Sequence, residues 1–243
     1  MKNYRMTRVT DAFARFYPSY AWIPTVTIPV YNALTFYGTR LINRHYPAHI
    51  FEMPIDRYIP FVPAFVLFYC LAYLQWGLCY FFTLRHSRTL CFETFSVNLI
   101  AKTTCLLGFL IFPTAIVRPE VTGSDLWSTL VRWIYAADTP DNLFPSIHCL
   151  GSWLAFRALL RVRKIPLPVR LLNGALTVLV CASTVFIKQH YLPDIFAGIL
   201  AVELGYLLTR LLGTVGWLRK REPAFSRRIP DLYGAPNSSI GEL

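Results

Sequence analysis

Two histidines and an aspartate, His148, His190 and Asp194, have the types and spacing of a nucleophile, its orienting carboxylate and an acid. His190 and Asp194 are four residues apart at the predicted start of a helix, so the carboxylate can accept a hydrogen bond from one imidazole nitrogen. That bond sets the tautomer of His190 and leaves its other nitrogen nucleophilic. His148 can then protonate a leaving oxygen. This combination predicts phosphoryl transfer to a histidine, with no metal and no cofactor.

Three further polar residues, Arg118, Ser146 and Lys188, are predicted to bind the phosphate. Pro145 suits the first helical position, so the N–H groups from Ser146 to His148 would form the positive end of a helix, where anions bind. Arg118 offers a planar fork that matches phosphate, and Lys188 adds a second positive charge. Two alternatives remain: Ser146 as a helix cap only, and Lys188 as an interfacial lysine.

These residues depend on apolar segments that are long enough to cross a membrane. Hydrophobic residues make up 55% of the chain and charged residues 15%, whereas a soluble domain has about 25% charged residues. At about 20 residues per crossing, the sequence predicts an all-α, polytopic membrane bundle of about six transmembrane helices and excludes a soluble protein. The predicted spans are Ala21–Leu41, Pro60–Phe82, Thr94–Val117, Pro145–Leu160, Leu171–Ile187 and Leu192–Gly213.

The order of these spans predicts where the polar residues meet. His148 and His190 are 42 residues apart, which corresponds to one span down and one span back. Arg118 ends the third span, which runs in the same direction as the fifth. We therefore expect all three side chains at one end of the bundle. The first span is interrupted by Pro24 and Pro29, and we expect a broken or interfacial helix there.

The basic residues that give the net charge of +11 are concentrated on one side of the predicted membrane. Fifteen of the 24 basic residues fall in segments 1–20, 83–93, 161–170 and 214–243. Positive charge is retained on the cytoplasmic side of a membrane, so both termini are predicted to be cytoplasmic and the site extracytoplasmic, in the cell membrane. The partners expected are membrane lipids and a lipid phosphate substrate, and nucleic acid is not expected.

The chain divides into three predicted parts: residues 1–93 with the first two spans, residues 94–213 as a catalytic four-span core, and residues 214–243 as a solvated cytoplasmic tail. The charged residues inside the predicted spans include Lys102, Arg157 and Glu203. Lys102 is predicted to extend its ammonium toward the cytoplasmic interface. Arg157 and Glu203 lie at the same depth, nine residues below His148 and Asp194, and are predicted to form a buried ion pair.

Three blocks, Arg118-Pro119, the FPSIH run ending at His148, and Ser183-Thr184 followed by His190 and Asp194, resemble the type 2 phosphatidic acid phosphatase superfamily. The resemblance covers about residues 94–213. It implies a six-helix membrane bundle, a core shared with vanadium haloperoxidases, and a phosphohistidine intermediate. Two positions differ from the family pattern: Ile111 replaces a lysine, and Thr184 replaces an arginine. The Ser-Thr form resembles the inositol-phosphoceramide synthase branch.

Three functions are therefore considered. The first is hydrolysis of lipid phosphates or diphosphates at the outer interface. The second shares the first half-reaction but transfers a lipid head group to another alcohol. The third is not enzymatic: a bundle that binds haem through two histidines, or a transporter, although a transporter should contain repeat symmetry and broken midplane helices.

Overall fold

The computed structural model describes residues 17–226, and these residues are mainly helical. Short 3-10 turns at Ser19–Ala21, Pro54–Tyr58 and Pro63–Phe65 precede longer helices. A π-helical turn, Leu34–Gly38, joins the first two helices. The helices are α1 Trp22–Ala33, α2 Thr39–Asn43, α3 Val66–His86, α4 Arg88–Ile111, α5 Leu126–Ala137, α6 Ile147–Leu159, α7 Leu167–Phe186, α8 Leu192–Leu211 and α9 Thr214–Ser226.

Four helical segments within residues 17–226 are long and apolar enough to cross a membrane. They are Pro63–His86, Arg88–Ile111, Leu167–Phe186 and Leu192–Leu211. The structure thus supports a membrane-spanning helical bundle with four candidate spans. The predicted fourth span corresponds to α6, which has 13 residues. At 1.5 Å per residue, α6 is about 20 Å long, shorter than the apolar thickness of a bilayer of about 30 Å.

The short helix α6 lies at the centre of the bundle and packs against α3, α4, α7 and α8. Its Leu150 and Leu154 are fully buried together with Val202 of α8. Close approach of α6 and α8 depends on Gly198, because a Cβ atom there would lie 2.6 Å from the carbonyl oxygen of Ser146. The absence of a side chain at Gly198 therefore lets the helix that contains Asp194 lie beside the helix that contains His148.

The predicted end of the third span is wrong. The corresponding helix, α4, ends at Ile111 and not at Val117. Pro113 explains this end, because it lacks a backbone N–H and disfavours helical backbone at the preceding Phe112. Residues 112–125 then cross the end of the bundle without helix and lead into α5, an element that the hydrophobic pattern did not predict. The Asp125 side chain caps α5 by accepting from the backbone N–H of Trp127 at 2.9 Å.

The first helix is irregular but continuous. Helix α1 runs through Pro24 and Pro29, where a break was expected, and the π-helical turn Leu34–Gly38 joins it to α2. The first residues of the predicted tail also differ from expectation, since Thr214–Ser226 form α9. An ion pair between Arg88 and Glu222 holds α9 against α4. The remaining predictions for the tail, and those for residues 1–16, lie outside the described residues.

Candidate active site

His190 and Asp194 are held by the turn that joins α7 to α8. The backbone N–H of His190 donates to the Thr184 carbonyl at 3.0 Å, which ends α7. Asp194 lies in the first turn of α8, and its Oδ2 accepts from His190 Nδ1 at 3.1 Å and from the Tyr191 N–H at 2.9 Å. Nε2 of His190 has no hydrogen-bond partner within residues 17–226. This is the predicted orientation of a nucleophilic imidazole.

The environment of His190 alters its basicity. Burial opposes protonation of the ring, but the hydrogen bond and the negative charge of Asp194 outweigh burial, so the pKa of His190 is raised above its ordinary value. A carboxylate that stabilises the imidazolium also stabilises the positive charge that the ring acquires when Nε2 forms a covalent bond.

His148 lies in the first turn of α6 and faces His190, with 6.4 Å between the two ring centroids. Its Nε2 is 3.2 Å from the hydroxyl of Tyr73. The rings of Tyr69 and Trp76 pack against it at 4.1 Å and 5.3 Å. These three aromatic residues lie on one face of α3 at helical spacing and orient His148. That spacing, 69, 73 and 76, was the available signal.

Arg118 reaches the same end of the bundle from residues 112–125. One of its amino groups donates to the carbonyl oxygens of Asp138 at 2.6 Å and Tyr135 at 3.3 Å. The other donates to the side-chain oxygen of Gln189, next to His190. The guanidinium lies over the ring of Tyr135, 4.4 Å from its centroid. Burial lowers the pKa of Arg118, although the charge of Asp138 opposes this.

Asp138 and Tyr135 belong to the site, and sequence reasoning missed both because it missed α5. Asp138 forms an ion pair with Arg40 at 3.2 Å, which fastens the end of α5 to α2. Burial raises the pKa of Asp138, while the charges of Arg118 and Arg40 act against that rise. Tyr135 donates from its hydroxyl to the carbonyl of Ile187 at 2.7 Å, so α5 also holds the turn that precedes His190.

Ser146 is the N-cap of α6, and Pro145 precedes that cap instead of occupying the first helical position as predicted. The Ser146 hydroxyl accepts from the N–H of Cys149 at 3.4 Å. Its own N–H donates to the carbonyl of Asp194 at 3.0 Å, which links α6 directly to α8. The side chain is fully buried. Ser146 therefore acts as a cap, and its contact with phosphate stays a prediction.

Lys188 contacts backbone carbonyl oxygens near the Pro54–Tyr58 turn through its side chain. Its backbone has a φ of 51°, the left-handed region. The ammonium donates to the carbonyl oxygens of Ile59 at 2.6 Å and Asp56 at 3.4 Å. The Asp56 carboxylate in turn accepts from the N–H of Leu192 at 2.9 Å. Lys188 thus ties the Pro54–Tyr58 turn to the start of α8, and its contact with phosphate stays a prediction.

Two other positions lack the charge that the resemblance implies. The hydroxyls of Ser183 and Thr184 donate to carbonyls of their own helix, at 2.6 Å and 2.7 Å. The Ile111 side chain is 78% exposed. Lys102 is also not where it was expected: it is fully buried and forms no hydrogen bond or ion pair with the described residues.

The structure brings together His148, His190, Asp194 and Arg118 at one end of the bundle, as the span order predicts. Within residues 17–226, no group of three or more histidine, cysteine, aspartate or glutamate side chains is arranged to hold a metal ion. Comparison of the chain with protein-family models, with curated protein sequences and with solved structures finds no match.

Proposed function

We propose that this protein is a membrane-embedded phosphatase that hydrolyses lipid phosphates or diphosphates through a phosphohistidine at His190. The main support is the state of the His190 ring. Asp194 holds its Nδ1, while its Nε2 has no hydrogen-bond partner in the described residues. The centroid of this ring lies 6.4 Å from that of His148. An imidazole in this state is a nucleophile rather than a structural hydrogen-bonding residue.

In the first half-reaction, Nε2 of His190 attacks phosphorus, and the bond between phosphorus and the leaving oxygen breaks. His148 in its protonated form donates a proton to that oxygen, which leaves as an alcohol, or as a lipid phosphate if the substrate is a diphosphate. Burial and the charge of His190 lower the pKa of His148, which makes its protonated form a strong acid. Asp194 stabilises the positive charge on the phosphorylated His190 ring. Arg118 and the N-terminal N–H groups of α6 stabilise the negative charge on the phosphoryl oxygens.

In the second half-reaction, water attacks the phosphorus atom of the phosphohistidine. His148, now neutral, accepts a proton from the water, and the bond between phosphorus and Nε2 of His190 breaks. Inorganic phosphate leaves, and both histidines return to their initial states. The same two residues therefore serve as acid and then as base, and these steps do not require a metal ion.

The four apolar spans support a substrate that lies in the bilayer. Arg161 and Arg88, which form ion pairs with Glu93 and Glu222, belong to the basic end of the bundle, opposite His190. By the distribution of positive charge, that basic end is cytoplasmic. The site then lies on the extracytoplasmic side of the cell membrane, where a phosphate group reaches His190 from the interface.

The test is phosphate release from a panel of lipid monophosphates and diphosphates by the purified protein in detergent. His190→Ala is expected to abolish turnover and the covalent phosphoenzyme. His148→Ala is expected to slow release of the leaving group, while an activated substrate still phosphorylates His190. His45→Ala is a matched control, since His45 is exposed in an outer loop. Near-normal turnover by the His190 variant would rule out this mechanism.

Two additions to the assay separate the alternatives. Activity should survive EDTA, and vanadate should inhibit as a mimic of pentacoordinate phosphorus. A loss of activity with EDTA that magnesium reverses would contradict the metal-free mechanism. Transfer of the head group to an added lipid alcohol, in place of phosphate release, would indicate the transferase that the Ser183-Thr184 pair suggests. Haem-like visible absorption without phosphate release would indicate the haem-binding alternative.

A further inference from the structure

A cavity of about 530 Å³ lies between α1 and α3. Both helices pack against α4, but they make few close contacts with each other. The cavity reaches the surface of the bundle where its lining residues Pro29 and Gly77 are exposed. It therefore opens sideways, between two helices of the bundle. Its lining is mainly apolar and aromatic, with Trp22, Ile28, Trp76, Tyr80 and Phe81 among its residues.

One end of the cavity adjoins the active site. Toward the other end, the rings of Tyr17 and Phe81, both in the lining, stack with centroids 6.1 Å apart. At the end that adjoins the active site is Trp76, whose ring lies 5.3 Å from that of His148. The indole N–H donates to the hydroxyl of Ser152 at 2.9 Å and holds the ring in place. Trp76 is thus a wall shared by the cavity and the active site.

The length of the cavity suits a chain that descends from the site into the membrane. From Trp76 to Leu84, both in its lining, α3 rises eight residues, or about 12 Å. This interval lies in the second half of Val66–His86. A volume of 530 Å³ is also typical of ligand sites, which measure about 300–1,000 Å³. Apolar walls of this length bind hydrocarbon better than they bind water or a charged group.

We propose that this cavity binds the hydrocarbon chain of the lipid whose phosphate group reaches His190. The inference rests on the proposed function and adds to it a binding site for the chain. It makes α1, which lies outside the four apolar spans, part of the substrate site. It also gives Trp76 two contacts, one with the chain and one with His148.

Gly77 allows the cavity to be filled without disturbing the helices around it. It lines the cavity, and a Cβ atom added there meets no atom within 4 Å. Gly38 has the same free space but does not line the cavity, which makes it a matched control. Leucine raises helix propensity at both positions, so a difference between the two variants reports on the cavity.

The experiment compares phosphate release from butyl phosphate and hexadecyl phosphate in detergent. We expect Gly77→Leu to lower kcat/KM for hexadecyl phosphate about tenfold, because added volume must be accommodated in a filled apolar site. Turnover of butyl phosphate should be unchanged, which also reports that the variant is folded. Gly38→Leu should change neither. Equal loss with both substrates, or no loss with either, would overturn the inference.

A binding measurement tests the cavity without turnover. Hexadecyl phosphate with a photoreactive chain end should crosslink to α1 or α3, and unlabelled hexadecyl phosphate should compete while hexadecanol should not. Equal competition by hexadecyl phosphate and hexadecanol would mean that bulk lipid fills the cavity. Absence of crosslinks to α1 and α3 would mean that the chain lies elsewhere. Either result overturns the inference. Because hydrolysis is not needed, a failure of the proposed function is distinguishable from a failure here.

Discussion

Arg157 of α6 and Glu203 of α8 form an ion pair, with 2.8 Å between Nη1 and Oε1. The sequence predicts this pair from depth alone, and the structure confirms it. The indole N–H of Trp153 donates to the same carboxylate oxygen at 2.7 Å. The ion pair is less buried than the sequence predicts, since each charged side chain is 36% exposed. The pair therefore lies at the lipid-facing side of the junction between the helix of His148 and the helix of Asp194.

The ion pair can be tested with a double-mutant cycle. Arg157→Met and Glu203→Gln should each lower the melting temperature, because each leaves one charged or polar group without its partner. The double variant should lose less than the sum of the two, with a coupling of about 0.5–3 kcal/mol. Arg210→Met is the control, since exposed Arg210 forms no ion pair among the described residues. Additive losses would show that the two side chains do not interact in the membrane.

The raised pKa of His190 predicts a shift in the pH profile when Asp194 is replaced. Nε2 attacks phosphorus only when the His190 ring is unprotonated, whereas His148 acts as the acid only when it is protonated. Because the pKa of His148 is lowered and that of His190 is raised, the acidic limb of kcat/KM follows His148 and the alkaline limb follows His190. Asp194→Asn removes the charge that raises the pKa of His190, so the alkaline limb should move to lower pH.

The maximal rate of the same variant should fall on the order of a thousandfold, because the tautomer is no longer held. Asp125→Asn is the control: Asp125 caps α5 outside the site, and asparagine is also an effective cap. An alkaline limb that does not move would mean that Asp194 does not act on His190.

Arg118→Lys should lower kcat/KM about a hundredfold, because an ammonium cannot reproduce the planar fork that holds Gln189 and, in the proposed mechanism, the phosphate. Arg132→Lys is a matched control. Arg132 also donates to loop carbonyls, those of Val121 and Gly123, but it is exposed on the far side of α5. The measurement is the rate of phosphate release by each variant. Similar losses in both variants would mean that Arg118 has only a structural role.

Lys102→Met should stabilise the protein by about 1–4 kcal/mol, because it replaces a buried charge that has no partner among the described residues by an apolar side chain of similar length. Thermal unfolding in detergent measures the change. Lys164→Met, at an exposed position, should leave the melting temperature unaltered. A lower melting temperature for the Lys102 variant would mean that the ammonium has a stabilising contact in the membrane.

The sequence alone determined the helical bundle, the meeting of His148 with His190 and Arg118, and the pairing of Arg157 with Glu203. These features follow from local geometry: a fixed rise per residue sets the depth of each side chain, and a four-residue interval places Asp194 beside His190. Chain order then decides which helix ends coincide.

Tertiary structure decided the direction of individual side chains outside regular helix. The left-handed backbone of Lys188 sends its ammonium to Ile59, more than a hundred residues away in sequence. Ser146 caps α6 with its hydroxyl, while its backbone N–H donates to the carbonyl of Asp194 in α8. Asp138 joins the site only through α5, a helix too short to give a membrane-span signal. In each case the partner comes from a distant segment, and hydropathy and spacing contain no information about which distant groups a loop will meet.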